Sequence, residues 1–427
     1  MNKSNKWLTL LIICIGGGIA YILPYIQYSY YDPLREGLNL THSQMGDLMS
    51  VFGIASSICF LVGGVLADKF DVKILVSVSF VITGFMGFWF STYPSYNELT
   101  FIMIMFSIST NVLYWPAMIK AVKIISSDGD YGKMFGFREA GFGLFALIFT
   151  QIGAWLVFNR TGGVEGVQHI LVFFSIICII IGLLSYIFLP SSKNHSEFNE
   201  EISDISFIDR IKFVIKIPAI WFIGMTIFCI YIVYSPGLGK MGHYFTAVLG
   251  FDDTTTASIM SIRMYLVQFI AAACGGLLAD KMSSIVKFII ISGSCLTASL
   301  GLFLLVPATP EFIIISVIAV FLISTIIYTL TGTYMAPISE VNIPNEYIGT
   351  AIGIISFIGY LPEAFMWSVF GRMLGNKPGV EEFKMIYLTC MISAFFAVVF
   401  AFITYKLISK SKKVKQSQSL NEVNSLS

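Results

Sequence analysis

Two ionisable side chains lie deep inside long apolar runs: Arg263, in a run over residues 254–280, and Glu363, in a run over residues 346–374. Charges within a membrane span are costly and usually functional. Arginine presents a planar fork that grips a carboxylate with two parallel hydrogen bonds. A carboxyl group can carry a proton. Each residue stands 17 positions from the end of its run that lies on the same side as the chain termini. At 1.5 Å per residue that is a depth of about 25 Å, somewhat beyond the midplane. The two are level, so Arg263 reads as an anchor for an anionic group and Glu363 as its partner or as a proton carrier. A permanent structural pair, or an outer gate, is the alternative.

Further polar groups surround this pair in the sequence. Arg138 and Glu139 sit about two turns inside the run over 132–158. Neighbours in a helix do not face each other, so each needs its own partner. A gate near the terminal side is the expected role, with proton coupling through Glu139 or static packing as alternatives. Lys240 and His243 fall close to the opposite end of the run over 218–248, where snorkelling to the interface is the simplest account. Polar aromatics recur at helical spacing: Tyr21, Tyr25 and Tyr28; Asn111, Tyr114 and Trp115 before Pro116; Tyr231 and Tyr234 before Pro236; Tyr328, Thr331 and Tyr334 before Pro337. The prolines point to helices kinked or broken beside a cavity. Tyr25, Tyr28, Asn111, Trp115, Tyr231, Tyr234 and Tyr328 are accordingly expected to line a pathway, although such residues also serve as packing or interfacial belts.

The elements that must position these groups are membrane helices. The chain has 427 residues, 56% of them hydrophobic and only 12% charged, with a mean hydropathy of +0.81. Soluble domains carry about 25% charged residues. Apolar runs of about 20 residues, each long enough to cross a hydrocarbon core, recur at 7–30, 43–68, 74–93, 98–124, 132–158, 167–189, 218–248, 254–280, 287–306, 311–340, 346–374 and 384–408. They do not alternate as barrel strands would. The net charge of +1 argues against a nucleic-acid partner. All seven cysteines fall inside apolar runs, which argues against a disulfide framework or zinc site. No phosphate-cradling glycine loop is present, so neither ATP drive nor a cofactor is expected, and no catalytic triad or metal cluster points to an enzyme. Lysines and arginines concentrate in the loops on the side of both termini, which the positive-inside rule makes cytoplasmic. Residues 191–216 form a charged central connection in which Ile205, Ile208, Ile211 and Ile215 recur at helical spacing, so a surface helix or a solvated linker is expected there. The tail 411–427 is rich in Ser, Gln and Asn and reads as disordered.

The most specific signal is an internal repeat. Gly63-Gly64-Val65-Leu66-Ala67-Asp68-Lys69 recurs as Gly275-Gly276-Leu277-Leu278-Ala279-Asp280-Lys281, an offset of 212 positions, about half the chain. Repeated halves are the usual construction of secondary transporters. The glycines let helices approach closely in lipid. Asp68 and Asp280 close the terminal-side ends of their own helices, where the helix dipole disfavours an anion, so a positive group such as Lys69 or Lys281 must compensate. Contacts of that kind can hold one conformation and break in another. Glycine-x-leucine-alanine-aspartate-basic, present in both copies, resembles the loop motif of the major facilitator superfamily. The first copy departs from it at Asp71, where glycine is usual, and the second at Ser283 and Ser284.

The resemblance covers essentially the whole chain. It implies an all-α membrane protein of twelve transmembrane helices in two pseudo-symmetric bundles, residues 1–190 and 217–410. It further implies alternating access, with helices 1, 4, 7 and 10 lining the cavity, 2, 5, 8 and 11 between the halves, and 3, 6, 9 and 12 outside. The chain is also similar to the oxalate–formate exchangers, which use an arginine on helix 8; where those pair it with a lysine on helix 11, this chain has Glu363. The expected function is secondary active transport of a small organic anion, a carboxylate or sugar acid, across the cell membrane as a proton symporter or exchanger. Efflux of lipophilic compounds and a transporter-derived ligand sensor are the alternatives. The expected partners are the small-molecule substrate, protons or a counter-substrate, and the lipid bilayer, with the protein a monomer.

Overall fold

In lipid every backbone N–H and C=O must find its partner within the segment, so each apolar run folds as a helix. The computed structural model describes residues 3–125, 131–191, 207–282, 284–341, 343–376 and 378–425. Among them no strand occurs. The spans are α1 (Lys3–Ala20), α2 (His42–Lys69), α3 (Val72–Ser91), α4 (Tyr96–Val122), α5 (131–161), α6 (Gly163–Phe188), α7 (Pro218–Ala247), α8 (Asp253–Ala279), α9 (Ile285–Leu305), α10 (Pro310–Glu340), α11 (345–374) and α12 (Val380–Ser425). Ten of these are long and apolar enough to cross a membrane by that measure alone. The six helices on either side of the central connection form two hydrophobic cores, the first of which also takes in Ala257 of α8.

Two expectations about the chain's course are corrected. The first span does not run helical to residue 30. It unwinds after Ala20 through Pro24, makes one tight turn at Ile26–Tyr28, and re-forms as a short helix at Tyr31–Gly37. Proline lacks an N–H and its ring clashes with the preceding turn, so an apolar run can contain a break that hydropathy does not reveal. The tail expected to be disordered continues α12 as helix to Ser425. No glycine or proline interrupts 411–425, so the helix propagates from a nucleus already formed. In the central connection the helix Phe207–Val214 forms, with Phe213 stacked on Tyr347 at 4.1 Å; Ile205 lies outside the described residues.

Irregular turns interrupt several spans. Wide π-type turns occupy Ile108–Tyr114 of α4, Gly153–Phe158 of α5, Val233–Gly237 of α7 and Ile262–Val267 of α8. Pro236 lies inside the third, Pro116 follows the first, and Pro337 sits in a tight 3-10 turn, Ala336–Glu340. Span α11 also breaks, at Leu361–Ala364 beside Pro362. Such inserted turns re-aim side chains and cluster at functional sites.

The two halves meet mainly at the end remote from the termini, called here the far end. There α2 packs along the last turns of α11, and α5 packs against the first half of α8. Among the described residues the first half of α11 makes no comparable packing with α2. Two glycines make the far-end approach possible. A Cβ on Gly46 would overlap the backbone of Trp367, and one on Gly53 would overlap the backbone of Glu363. Gly46→Val is therefore expected to force the far ends apart and cut transport at least about tenfold, with fold retained; a distance measurement between the halves and an uptake assay check both effects.

Candidate functional site

Between the halves lies a cavity of about 610 Å³. Its walls come from α2, α4, α5, α7, α8, α10 and α11 and from the unwound segment after α1. None of its lining residues belongs to α3, α6, α9 or α12, the arrangement that the motif resemblance implies. Seven of the candidate residues stand on it: Tyr25, Tyr28, Asn111, Trp115, Tyr231, Tyr234 and Tyr328. So does Glu363, the one carboxylate among the lining residues, which include no lysine, arginine or histidine. Phe52, Phe142, Phe357, Tyr21 and Tyr360 complete a largely aromatic wall, and Ser56, Ser235 and Gln268 add uncharged polar groups. Asn111 donates to Ser56 Oγ at 2.8 Å and accepts from Tyr21 at 3.3 Å, so its amide is held rigidly.

The cavity is sealed toward the far end by a hydrogen-bonded set in which Tyr25 and Tyr28 reach across between the halves. Tyr25 donates to Glu363 Oε1 at 3.2 Å, and Ser235 donates to Glu363 Oε2 at 2.5 Å. Tyr28 donates to the Ser235 carbonyl at 3.2 Å and lies 3.2 Å from its hydroxyl. The break in α1 is what turns these tyrosines toward α7 and α11, and the break at Leu361–Ala364 is what turns Glu363 inward. Both oxygens of a buried carboxylate are thus satisfied without a cation.

The expected pairing of Arg263 with Glu363 is corrected. Neither an ion pair nor a hydrogen bond joins them, and Arg263 is fully buried rather than on the cavity surface. Equal depth along two helices fixes height but not direction around the axis, and the two side chains point to different neighbours. The guanidinium donates at 3.4 Å to the Tyr328 hydroxyl and at 3.4 Å to the Leu238 carbonyl, and Nε has no partner. Both acceptors belong to residues of the cavity wall. Among the described residues no carboxylate lies within salt-bridge distance of it. The guanidinium therefore stands immediately behind the wall, one side chain from the cavity.

Arg138 is also buried, with its guanidinium 5.4 Å from the ring centres of Trp115 and Phe142, both of which face the cavity. It backs the aromatic wall from the terminal side. The side chains of Asp68, Lys69, Glu139 and Asp280 lie outside the described residues, and Lys281 is exposed.

Snorkelling does not describe Lys240 and His243. Lys240 is fully buried, with its ammonium 4.5 Å above the Tyr31 ring and 5.5 Å from that of Trp367, and 3.4 Å from the Tyr31 hydroxyl. His243 Nδ1 lies 2.8 and 2.9 Å from the two oxygens of Asp32, which also accepts from Thr246. His42 Nδ1 pairs with the Tyr31 hydroxyl at 2.9 Å. Asp32, Tyr31 and His42 belong to one half and Lys240, His243 and Thr246 to the other. Sequence reasoning missed Asp32 and His42 because they fall between the first two apolar runs, and nothing local places them beneath α7. Nearby, Ser368 donates to Asp47 at 2.5 Å and Arg372 reaches Asp47 at 3.4 Å, a more exposed tie between α2 and α11.

The Major Facilitator Superfamily profile matches residues 8–366. The chain is 28% identical over 414 residues to the inner membrane protein YqcE of Escherichia coli (strain K12), covering 95% of this chain and 96% of that one. It is 27% identical to the inner membrane protein YihN of the same organism, covering 97% and 98%. A bacterial homolog to the human lysosomal transporter Spinster, solved in an inward-facing and unoccupied conformation, superposes with a TM-score of 0.79 at 12% identity, covering 96% of this chain and 99% of that one. The chain belongs to the major facilitator superfamily, and it is a multi-pass membrane transporter rather than an enzyme.

Proposed function

We propose that the protein moves a small organic anion, a carboxylate or sugar acid, across the cell membrane by alternating access, as a proton symporter or exchanger. The observation that carries the reading is Arg263. A guanidinium removed from water is strongly destabilised unless charge or good hydrogen bonds compensate it. Here it has two long hydrogen bonds, an unpartnered Nε and, among the described residues, no carboxylate partner. Its two acceptors are cavity groups, so a turn of the Tyr328 ring brings an anion in the cavity within its reach. The tyrosines and Trp115 supply flat faces and hydroxyls for the body of the substrate. Glu363 supplies the proton site.

Lysine and arginine counts put both termini in the cytoplasm, so the far end faces outward and the cavity, closed there, is accessible from the cytoplasmic side. In this reading Asp68, Lys69, Asp280, Lys281, Arg138 and Glu139 govern the cytoplasmic gate. The protein acts as a monomer, with protons or a counter-substrate as its second ligand.

Uptake into proteoliposomes tests the substrate class. The panel contains labelled monocarboxylates and sugar acids, the uncharged amides and alcohols of the same size, and lipophilic cations. Carboxylates are expected to be taken up and their amides not. Transport of uncharged or cationic compounds with no anion carried would overturn the reading. The aromatic wall favours efflux of lipophilic compounds as a second reading, which the same panel separates. Binding without any flux would point instead to a ligand sensor.

A further inference from the structure

The far-end cluster has a feature that the cavity does not need. His243 is buried between the halves, and its two ring nitrogens are treated differently. An ionised carboxylate has no proton to give, so Nδ1 must carry the hydrogen that it shares with the two oxygens of Asp32. Nε2 is buried and makes no hydrogen bond. A proton on Nε2 would be a buried donor with nothing to accept it, which is strongly disfavoured. In this far-end-closed form the ring is therefore the neutral Nδ1–H tautomer.

Opening the far end must separate Asp32 from His243, because they stand on opposite halves. The ring then meets water, and Nε2 becomes free to take a proton. We propose that this cluster is a proton-binding site distinct from Glu363, in which His243 takes up a proton from the far-side solution each time the far end opens. The proton enters at Nε2 from water and must leave to water before the halves can close again. The proposal rests on alternating opening of the two ends and not on the class of substrate carried.

The neighbouring groups also exchange protons on opening: His42 and Lys240, buried when the far end is closed, share the sign of His243, and Asp253, crowded there by Asp32 and Glu36, has the opposite one, so the His243→Gln comparison carries the assignment. On the helix Tyr31–Gly37 the charged neighbours are Asp32, Arg35 and Glu36. Lys240 faces the cluster from α7, His42 from α2 and Asp253 from the start of α8, while among the described residues α11 and α12 present the rings of Trp367 and Phe383. Once in water, carboxylates stay ionised and lysine and arginine stay protonated between pH 5.5 and 7.5 at ordinary values of about 4, 10.4 and above 12. Histidine, at about 6.5, is the side chain whose charge changes in the open form, and His42 is exposed there along with His243. The open form binds a proton at His243 that the closed form excludes, so the contribution of His243 to the open-to-closed ratio rises as pH falls through about 6.5 and is flat above it.

The test is a distance measurement between spin labels at Glu165→Cys and Glu311→Cys, exposed positions at the far end of each half, in full-length protein whose own seven cysteines are replaced. Between pH 7.5 and 5.5 the far-end-open fraction relative to the closed is expected to rise about tenfold for one histidine. His243→Gln keeps a donor toward Asp32 and cannot titrate. It should remove about tenfold of the rise while showing the same closed distance at pH 8. The absence of any rise in the parent would overturn the proposal, and so would a full rise in His243→Gln. No substrate enters the measurement, so a wrong anion assignment would leave its outcome unchanged.

Discussion

Arg263→Gln is expected to weaken substrate binding by roughly 30-fold or more, the larger of the effects anticipated for this protein. The figure follows from the ~2–5 kcal/mol that loss of a desolvated, hydrogen-bonded charge contact typically costs, at tenfold in affinity per ~1.4 kcal/mol. Arg263→Lys keeps the charge and loses the fork, so a weak remainder of binding should survive. The order of severity separates an anchor from a packing residue. A merely structural Arg263 would show its loss in thermal stability, because the Tyr328 hydroxyl and the Leu238 carbonyl would lose their donor. Equilibrium binding of a transported anion and a melting curve, measured on both variants, tell these apart. Unchanged affinity alongside a lowered melting temperature would end the anchor reading.

Much of this architecture is legible in the sequence, and the parts that are not share a physical cause. Twelve apolar runs and the repeat of Gly63–Lys69 in Gly275–Lys281 are local patterns, and they were enough to imply the two-bundle fold. Tyr21, Tyr25 and Tyr28 recur at near-helical spacing and do stand on one wall, although the chain there is broken rather than helical. What a local pattern cannot carry is direction around a helix axis. Arg263 and Glu363 share a depth, yet the inserted turns at Ile262–Val267 and Leu361–Ala364 rotate them toward different neighbours. Lys240 and His243 look like interfacial side chains because their partners are more than 200 positions earlier, on a short helix between the first two apolar runs. Burial by a distant segment is a second property of a charged residue that hydropathy cannot read.

Glu363→Gln is expected to abolish accumulation of substrate against its gradient when an inward proton gradient is imposed, while exchange of substrate already present on both sides continues. The argument starts from the hydrogen bonds. As a carboxylate, Glu363 accepts from Tyr25 of one half and from Ser235 of its own half. Adding a proton turns one oxygen into a donor facing another donor. Either Tyr25 or the Ser235 hydroxyl must then turn away, and Tyr28, held by the same serine, loses part of its tie as well. Protonation thus loosens the seal that joins the halves below the far end, which is the seal that must part for the cavity to open outward. Glutamine keeps the size and one accepting oxygen, so the cavity and the bond from Tyr25 can remain, but it cannot gain or lose the proton. The expected accumulation ratio in proteoliposomes falls from well above one for the parent to about one for the variant, since without a bound proton the gradient has no lever on the equilibrium. Counterflow of labelled substrate reports the exchange step separately. Accumulation by Glu363→Gln equal to that of the parent would move proton coupling away from this carboxylate. Loss of counterflow together with accumulation would instead place Glu363 among the groups that bind the substrate.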